Sequence, residues 1–194
     1  MKIGGMAILR VISGSARGHK LKTPEGDSTR PTSDRVKESL FNILTPYIAG
    51  AHVLDLFAGT GNLGIEALSR GAEHAVFVDR SHVCFRIINE NLEHTKLKDK
   101  ATVIAGDVAG SIKKLHDQSK KFDIIFMDPP YNKNLVDDTI NILTKNDIMK
   151  ADGIIVAEMD IDDKVSERYG PFKLTRSRKY GDTVLAFYVK TDDI

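Results

Sequence analysis

A single cysteine, Cys84, among 194 residues leaves no internal disulfide and suits a reducing compartment. It falls in an expected helix, where a small buried hydrophobe is its ordinary role. No run approaches the roughly 18 apolar residues of a membrane span, and the amino terminus lacks the apolar stretch of a signal peptide. A cytoplasmic chain without a membrane partner is therefore expected. Metal-ligand spacing is also missing: His74, His82 and His94 fall at mixed positions and His19 and His116 stand alone, so no metal is expected. Charge of one sign does not dominate. The 28 basic residues against 27 acidic ones give +1, which does not suit a uniformly basic nucleic-acid binder. Repeats and low-complexity segments are absent, and 41% hydrophobic content is enough for one globular core.

The charge that is present is unevenly placed. Residues 1–37 carry Lys2, Arg10, Arg17, Lys20, Lys22, Arg30, Arg35 and Lys37 against Glu25, Asp27 and Asp34, and Lys173, Arg176, Arg178 and Lys179 follow late in the chain without an intervening acid. A solvated face is the ordinary explanation of a charge run. Two such segments beside a near-neutral remainder are also compatible with a phosphate-facing surface.

Met6 to Ile12 and His19 to Thr23 flank the turn Ser13-Gly14-Ser15-Ala16-Arg17-Gly18 and read as a basic hairpin. Arg30-Pro31-Thr32-Ser33-Asp34 supplies a stop and capping residues for a helix whose packing face is Val36, Leu40, Ile43, Leu44 and Tyr47. Strands expected at 51–57, 74–79, 101–105, 122–127 and 152–159 then alternate with helices at 62–71, 81–95, 108–117 and 135–146. Alternation implies a parallel sheet covered on both faces. Phe172 to Lys179 and Thr183 to Lys190 flank Tyr180-Gly181-Asp182, a hairpin signal. The sum is an α/β chain: a mostly parallel seven-stranded sheet closed by an antiparallel hairpin, the pattern of the class I, Rossmann-like methyltransferase fold. Residues 1–46 form an extension and 47–194 the main domain.

Asp128-Pro129-Pro130-Tyr131 ends the apolar run Phe122 to Met127. The prolines fix φ and extend the residue before them, so Asp128 and the Pro129 carbonyl become convergent acceptors beside an aromatic ring, a setting for a planar base with an exocyclic amine. Taken alone, the motif is equally an ordinary strand-to-loop stop. Upstream, Gly59-x-Gly61-x-x-Gly64 matches the dinucleotide fingerprint, which keeps an NAD reading open. Asp55 lies in the strand before the first glycine, however, and no hydride-transfer constellation follows. Asp-x-Phe-x-Gly-x-Gly resembles an S-adenosylmethionine site, with the acid facing the cationic methionine moiety. Asp79 lies 20 residues after Gly59, the separation at which an acid meets ribose hydroxyls. Asp107 ends a third strand. Each could simply cap a helix. Asp55, Asp79, Asp107 and Asp128 at four successive strand ends would instead share one crevice.

Together these residues resemble the RsmD-type bacterial 16S ribosomal RNA guanine-N2 methyltransferases, and the similarity covers nearly the whole chain. It rests on Arg10-Val11-Ile12-Ser13-Gly14 with Gly18, Arg30-Pro31-Thr32 with Asp34-Arg35-Val36-Lys37-Glu38 and Phe41-Asn42, Asp55 to Gly61, Asp128 to Tyr131, and Tyr180-Gly181-Asp182-Thr183. The Arg-Pro-Thr block discriminates most, because the glycine loop and D-P-P-Y recur among methyltransferases. The resemblance implies methyl transfer from S-adenosyl-L-methionine to the N2 amine of one guanine in 16S rRNA, presented in a small-subunit particle, by a monomer. Asp128, Pro129, Pro130 and Tyr131 would be catalytic. Thr32, Asp55, Phe57, Gly59, Thr60, Gly61, Asp79, Arg80 and Asp107 would bind the cofactor, and Arg10, Arg17, Lys20, Arg30, Arg35, Arg176 and Arg178 the RNA. Alternatives are an amine methyltransferase acting on adenine N6 or protein glutamine, an NAD-dependent oxidoreductase, and a non-catalytic RNA-binding module.

Overall fold

The computed structural model describes residues 9–24, 34–130 and 134–191. Five strands run parallel: β1 (His52–Leu56), β2 (His74–Asp79), β3 (Ala101–Ala105), β4 (Phe122–Met127) and β5 (Met149–Asp160). Three antiparallel strands complete the sheet, β6 (Arg168–Tyr169), β7 (Phe172–Tyr180) and β8 (Thr183–Lys190), in the order β3-β2-β1-β4-β5-β8-β7-β6. The sheet thus has eight strands rather than seven. The extra one, β6, has two residues and is too short to carry a periodic signal. The expected hairpin is present, with Tyr180 paired to Thr183 across Gly181-Asp182.

Helices cover both faces, as the apolar runs of a parallel sheet require. On one face α1 (Asp34–Ile48), α2 (Asn62–Ser69) and α3 (His82–His94) bury Leu40, Phe41, Ile65, Leu68, Ile88 and Leu92 over Val53, Phe77, Ile124 and Phe126. On the other, α4 (Val108–Asp117) and α5 (Leu135–Lys145) bury Ile112, Leu115, Ile140 and Leu143 over Leu54, Val78 and Ile125. The packing stripe of α1 differs from the expected one. Tyr47 is 52% exposed, and Lys37, Phe41 and Ile48 join the expected Val36, Leu40 and Leu44 in the buried face.

Residues 9–24 form an arm in which Arg10 bridges Lys20, Val11 N–H donates to the His19 carbonyl and Leu21 N–H to the Leu9 carbonyl. Leu9, Val11, Ala16 and Leu21 share a core with α1, α2 and α3. The expected division between residues 46 and 47 falls inside α1.

Candidate active site

The chain leaves β1 toward β2 on one side, whereas β4 lies on the other, so the crevice beyond the carboxyl ends of β1 and β4 is the topological switch point where α/β sheets bind ligands. The glycine loop enters it. Phe57 at φ 59°, Gly59 at 56° and Gly61 at 79° turn the chain sharply from β1 into α2. A non-glycine residue such as Phe57 reaches that region only when its surroundings enforce it, and such strain clusters at binding sites. A Cβ built on Gly59 would meet only the Phe57 carbonyl oxygen, at 3.9 Å, so the space over the loop is open to a ligand.

Asp79 holds this loop in place. Its Oδ2 accepts from Gly59 N–H at 2.8 Å and its Oδ1 from Ser81 N–H at 2.8 Å. The helix cap is Ser81, whose Oγ accepts from Cys84 N–H at 3.3 Å, so Asp79 is anchored beside the loop rather than spent on capping. Each carboxylate oxygen retains a further lone pair for a hydroxyl. Asp55 sits one layer below. It is buried, and its Oδ2 accepts from Gly64 N–H at 2.9 Å. Burial pushes its carboxyl pKa up to about 8, against the opposing effect of the Gly64 N–H and with a smaller upward push from the charge of Asp79. Gly64 itself is required by packing, because a Cβ there would lie 2.3 Å from Phe77 Cε1. Asp107 caps α4, its Oδ1 accepting from Gly110 N–H at 2.8 Å, and it is exposed at the same sheet edge.

Asp128 follows Met127, which pairs with Leu56 of β1. Val78 pairs with Leu56 from the opposite side. Asp79 and Asp128 thus flank Phe57 on neighbouring strands, about 10 Å apart at two strand spacings. Asp128 and Pro130 are exposed and Pro129 is half-buried. The four acids therefore do lie along one edge, with Asp55 beneath the other three. Thr60 is half-buried in the loop and Arg80 is exposed after Asp79. Thr32, Arg30 and Tyr131 lie outside the described residues.

Among the expected RNA contacts, Arg10 Nε lies 2.9 Å from Asp34 Oδ2, Arg17 and Lys20 are exposed on the arm, and Arg35 is exposed in the first turn of α1. Arg176 and Arg178 are exposed on β7 opposite Phe187 and Leu185, which places them on the face that carries α1 to α3. Among the described residues no helix is long and apolar enough to cross a membrane.

Two polar clusters had no counterpart in the sequence reading. Glu66 on α2 is fully buried. It accepts from Ile12 N–H at 2.8 Å and Ser13 N–H at 3.0 Å, with Lys37 Nζ 3.2 Å and Arg70 Nε 2.7 Å away. Lys37, counted above with the basic surface, is fully buried, and burial pushes its pKa down while Glu66 opposes the shift. Asn91 on α3 is also fully buried. Its side chain accepts from Lys22 N–H at 2.7 Å and donates to the Lys22 carbonyl at 3.1 Å and the Thr60 carbonyl at 2.9 Å, tying the arm to the glycine loop. A charged or amide residue inside an apolar pattern was the available signal, but apart from Arg70, four positions after Glu66, the partners are 25 to 69 positions away.

Comparison with known proteins agrees with this geometry. Ribosomal RNA small subunit methyltransferase D of Escherichia coli (strain K12) is 34% identical over 188 residues, covering 95% of this chain and 91% of that protein. Its namesake in Haemophilus influenzae is 36% identical, covering 79% of this chain and 80% of its own length. A Thermus thermophilus protein of known structure, TTHA0928, superposes with a TM-score of 0.82 at 31% identity, covering 95% of this chain and 100% of that one. The model of the family described as conserved hypothetical protein 95 matches residues 9–189. With the fold, the glycine loop and these relatives in agreement, the chain belongs to that family, the RsmD family of ribosomal RNA methyltransferases.

Proposed function

We propose that this protein methylates the exocyclic N2 amine of one guanine in 16S rRNA within a small ribosomal subunit particle. The observation that carries the reading is the placement of Asp128 and Pro129 at the switch point, beside the loop that Asp79 fastens. S-adenosylmethionine supplies an already activated methyl group on a sulfonium. The residues present fit it. Asp79 would receive the ribose hydroxyls, Gly59 and Gly61 would let the backbone approach, Asp107 would stand at the base, and Asp55 would lie under the methionine end.

A guanine N2 amine is a poor nucleophile because its lone pair is delocalised into the ring. Asp128 and the Pro129 carbonyl would accept its two N–H bonds, orienting the lone pair toward the methyl group and favouring pyramidal geometry. Alignment alone is worth much of the barrier, since effective molarities reach about 10⁵–10⁸ M in favourable intramolecular cases. Transfer leaves a cationic amine, and its proton passes to Asp128 or to water. No covalent intermediate is needed. Tyr131 would stack on the base once it is unstacked from its helix, a contact worth about 1–3 kcal/mol.

The test is transfer of radiolabelled methyl from S-adenosylmethionine to 30S particles from a strain lacking the enzyme, followed by mapping of the modified nucleotide. Label on a guanine N2 supports the reading, and label on an adenine or on protein overturns it. Asp128→Ala should lower turnover by at least about 100-fold, the scale of a positioned proton-accepting group, while cofactor affinity stays within a few-fold. Equal loss of cofactor binding and turnover would remove Asp128 from the amine.

A further inference from the structure

The arm turn and the far end of α3 meet in an open depression lined by Arg17, Gly18, His19, Lys20 and His94. A second depression, lined by Arg10, Val11, Ile12, Arg17 and Gly18, shares its Arg17-Gly18 wall. Among the described residues no carboxylate lines either one, and Asp34 stands behind Arg10, 2.9 Å from its Nε. Glu90, one turn before His94 on α3, is engaged by Lys22 Nζ at 2.8 Å. The rings of His19 and His94 stand edge to face at 5.2 Å. His19 Nδ1 lies 2.9 Å from the Ala16 carbonyl, which can only accept, so Nδ1 carries a proton.

The turn that presents these groups is rigid. Gly18 N–H donates to the Val11 carbonyl at 2.9 Å and Ala16 N–H to Ser69 Oγ at 2.9 Å. Gly14 presses so close to α2 that a Cβ would fall 1.8 Å from the Ser69 carbonyl oxygen. The backbone from which Arg17 and His19 project is therefore fixed before an anion arrives, which limits the ordering cost to the side chains. The first depression lies at the far end of α3 from Asp79, although Asn91, one turn before His94, reaches the outer side of the glycine loop at the Thr60 carbonyl. His94 lies 12 residues beyond His82, about 18 Å along the axis at 1.5 Å per residue, whereas the start of α3 follows Asp79 at the cofactor edge. A single nucleoside cannot touch both places.

We propose that these adjoining depressions bind neighbouring backbone phosphates of the RNA substrate at the far end of α3 from Asp79, with Arg17, Lys20 and His94 as ligands and His19 joining them only as imidazolium, when Nε2 also carries a proton. The inference rests on the rRNA reading above. It explains how a chain of near-neutral net charge prefers a large folded RNA: the second contact is measured out along α3 rather than gathered around the base.

Arg17, Lys20 and His94 are exposed, so Arg17→Gln with His94→Gln, and separately the charge reversal Lys20→Glu with His94→Glu, should keep the parental unfolding temperature and cofactor affinity. The RNA is 16S rRNA in 30S particles lacking the modification, with binding measured without cofactor and methyl transfer measured with it. The Gln pair should raise KM for the particle roughly tenfold, leave kcat at saturation within about twofold, and lower the log–log salt slope of binding by about 0.7–0.9 for each lost charged contact. The Glu pair should weaken binding further. Parental KM and slope in both variants would overturn the site. If the parent binds the particle without methylating it, the rRNA-methylation reading fails, and the binding slope still decides the site.

Discussion

Asp55 shows at the scale of one residue what the sequence can and cannot say. Its place four residues before Gly59 marked it as a cofactor acid, and the structure adds that it is buried under Gly64 with a carboxyl pKa raised from 3.8 to about 8. Between those values the folded chain keeps a proton that the unfolded chain has released. Stability therefore falls as pH rises through that window, by up to about 1.4 kcal/mol per unit, and the penalty vanishes below pH 4, where both states are protonated. Asp55→Asn carries no such proton and can still accept from Gly64 N–H. Urea unfolding at pH 5, 6.5 and 8 should show the variant gaining on the parent at each step. Lys37 titrates in both proteins and cancels. A constant difference across the three values would mean that Asp55 is ionised in the folded chain. The spacing of Asp79 suggested a ribose acid, but the two N–H groups it holds could not be read from it. Asp79→Ala should weaken cofactor binding by about 1–3 kcal/mol in calorimetric titration. Unchanged affinity would leave Asp79 as a loop fastener alone.

At the scale of elements the alternation of periods was readable, and α2 to α5 start and stop within two residues of the expected limits because each carries its own apolar stripe, with Ser81 and Asp107 capping α3 and α4. The arm's own pairing was readable, but its docking was not. A hairpin signal covers only its own residues, whereas its docking depends on Glu66, Ser69 and Asn91, all more than fifty positions away. Lys37 misled for the same reason, since nothing local distinguishes a solvated lysine from one enclosed with Glu66. Asn91 is where arm and glycine loop become one mechanical unit. Asn91→Leu leaves Lys22 N–H, the Lys22 carbonyl and the Thr60 carbonyl without this partner, at up to about 1–3 kcal/mol for each group that water does not reach. The expected outcome is faster hydrogen exchange at Lys22 together with several-fold weaker cofactor binding. Faster exchange with parental cofactor affinity would confine Asn91 to the arm.

For the whole molecule, the near-zero net charge conceals an arrangement in which the arm and the arginines of β7 lie on the same face of the sheet. Two explanations compete for Arg176 and Arg178. β6 pairs only with Phe172 and Lys173, so beyond them the outer side of β7 has no strand partner among the described residues, and charged side chains on such an edge discourage pairing with other chains. That role needs charge of either sign. Phosphate binding needs positive charge, so reversal separates the two. Arg176→Glu with Arg178→Glu should remain unaggregated by light scattering and bind cofactor as the parent does. Its affinity for the RNA particle should nevertheless fall more than about tenfold, with a salt slope lower by about 1.4–1.8 for two lost contacts. Combined with Arg17→Gln and His94→Gln, the slope changes should add, because β7 and the arm turn are separate elements without shared partners among the described residues. Parental affinity in the Glu variant would reduce these arginines to edge guards and confine RNA recognition to the arm and the crevice.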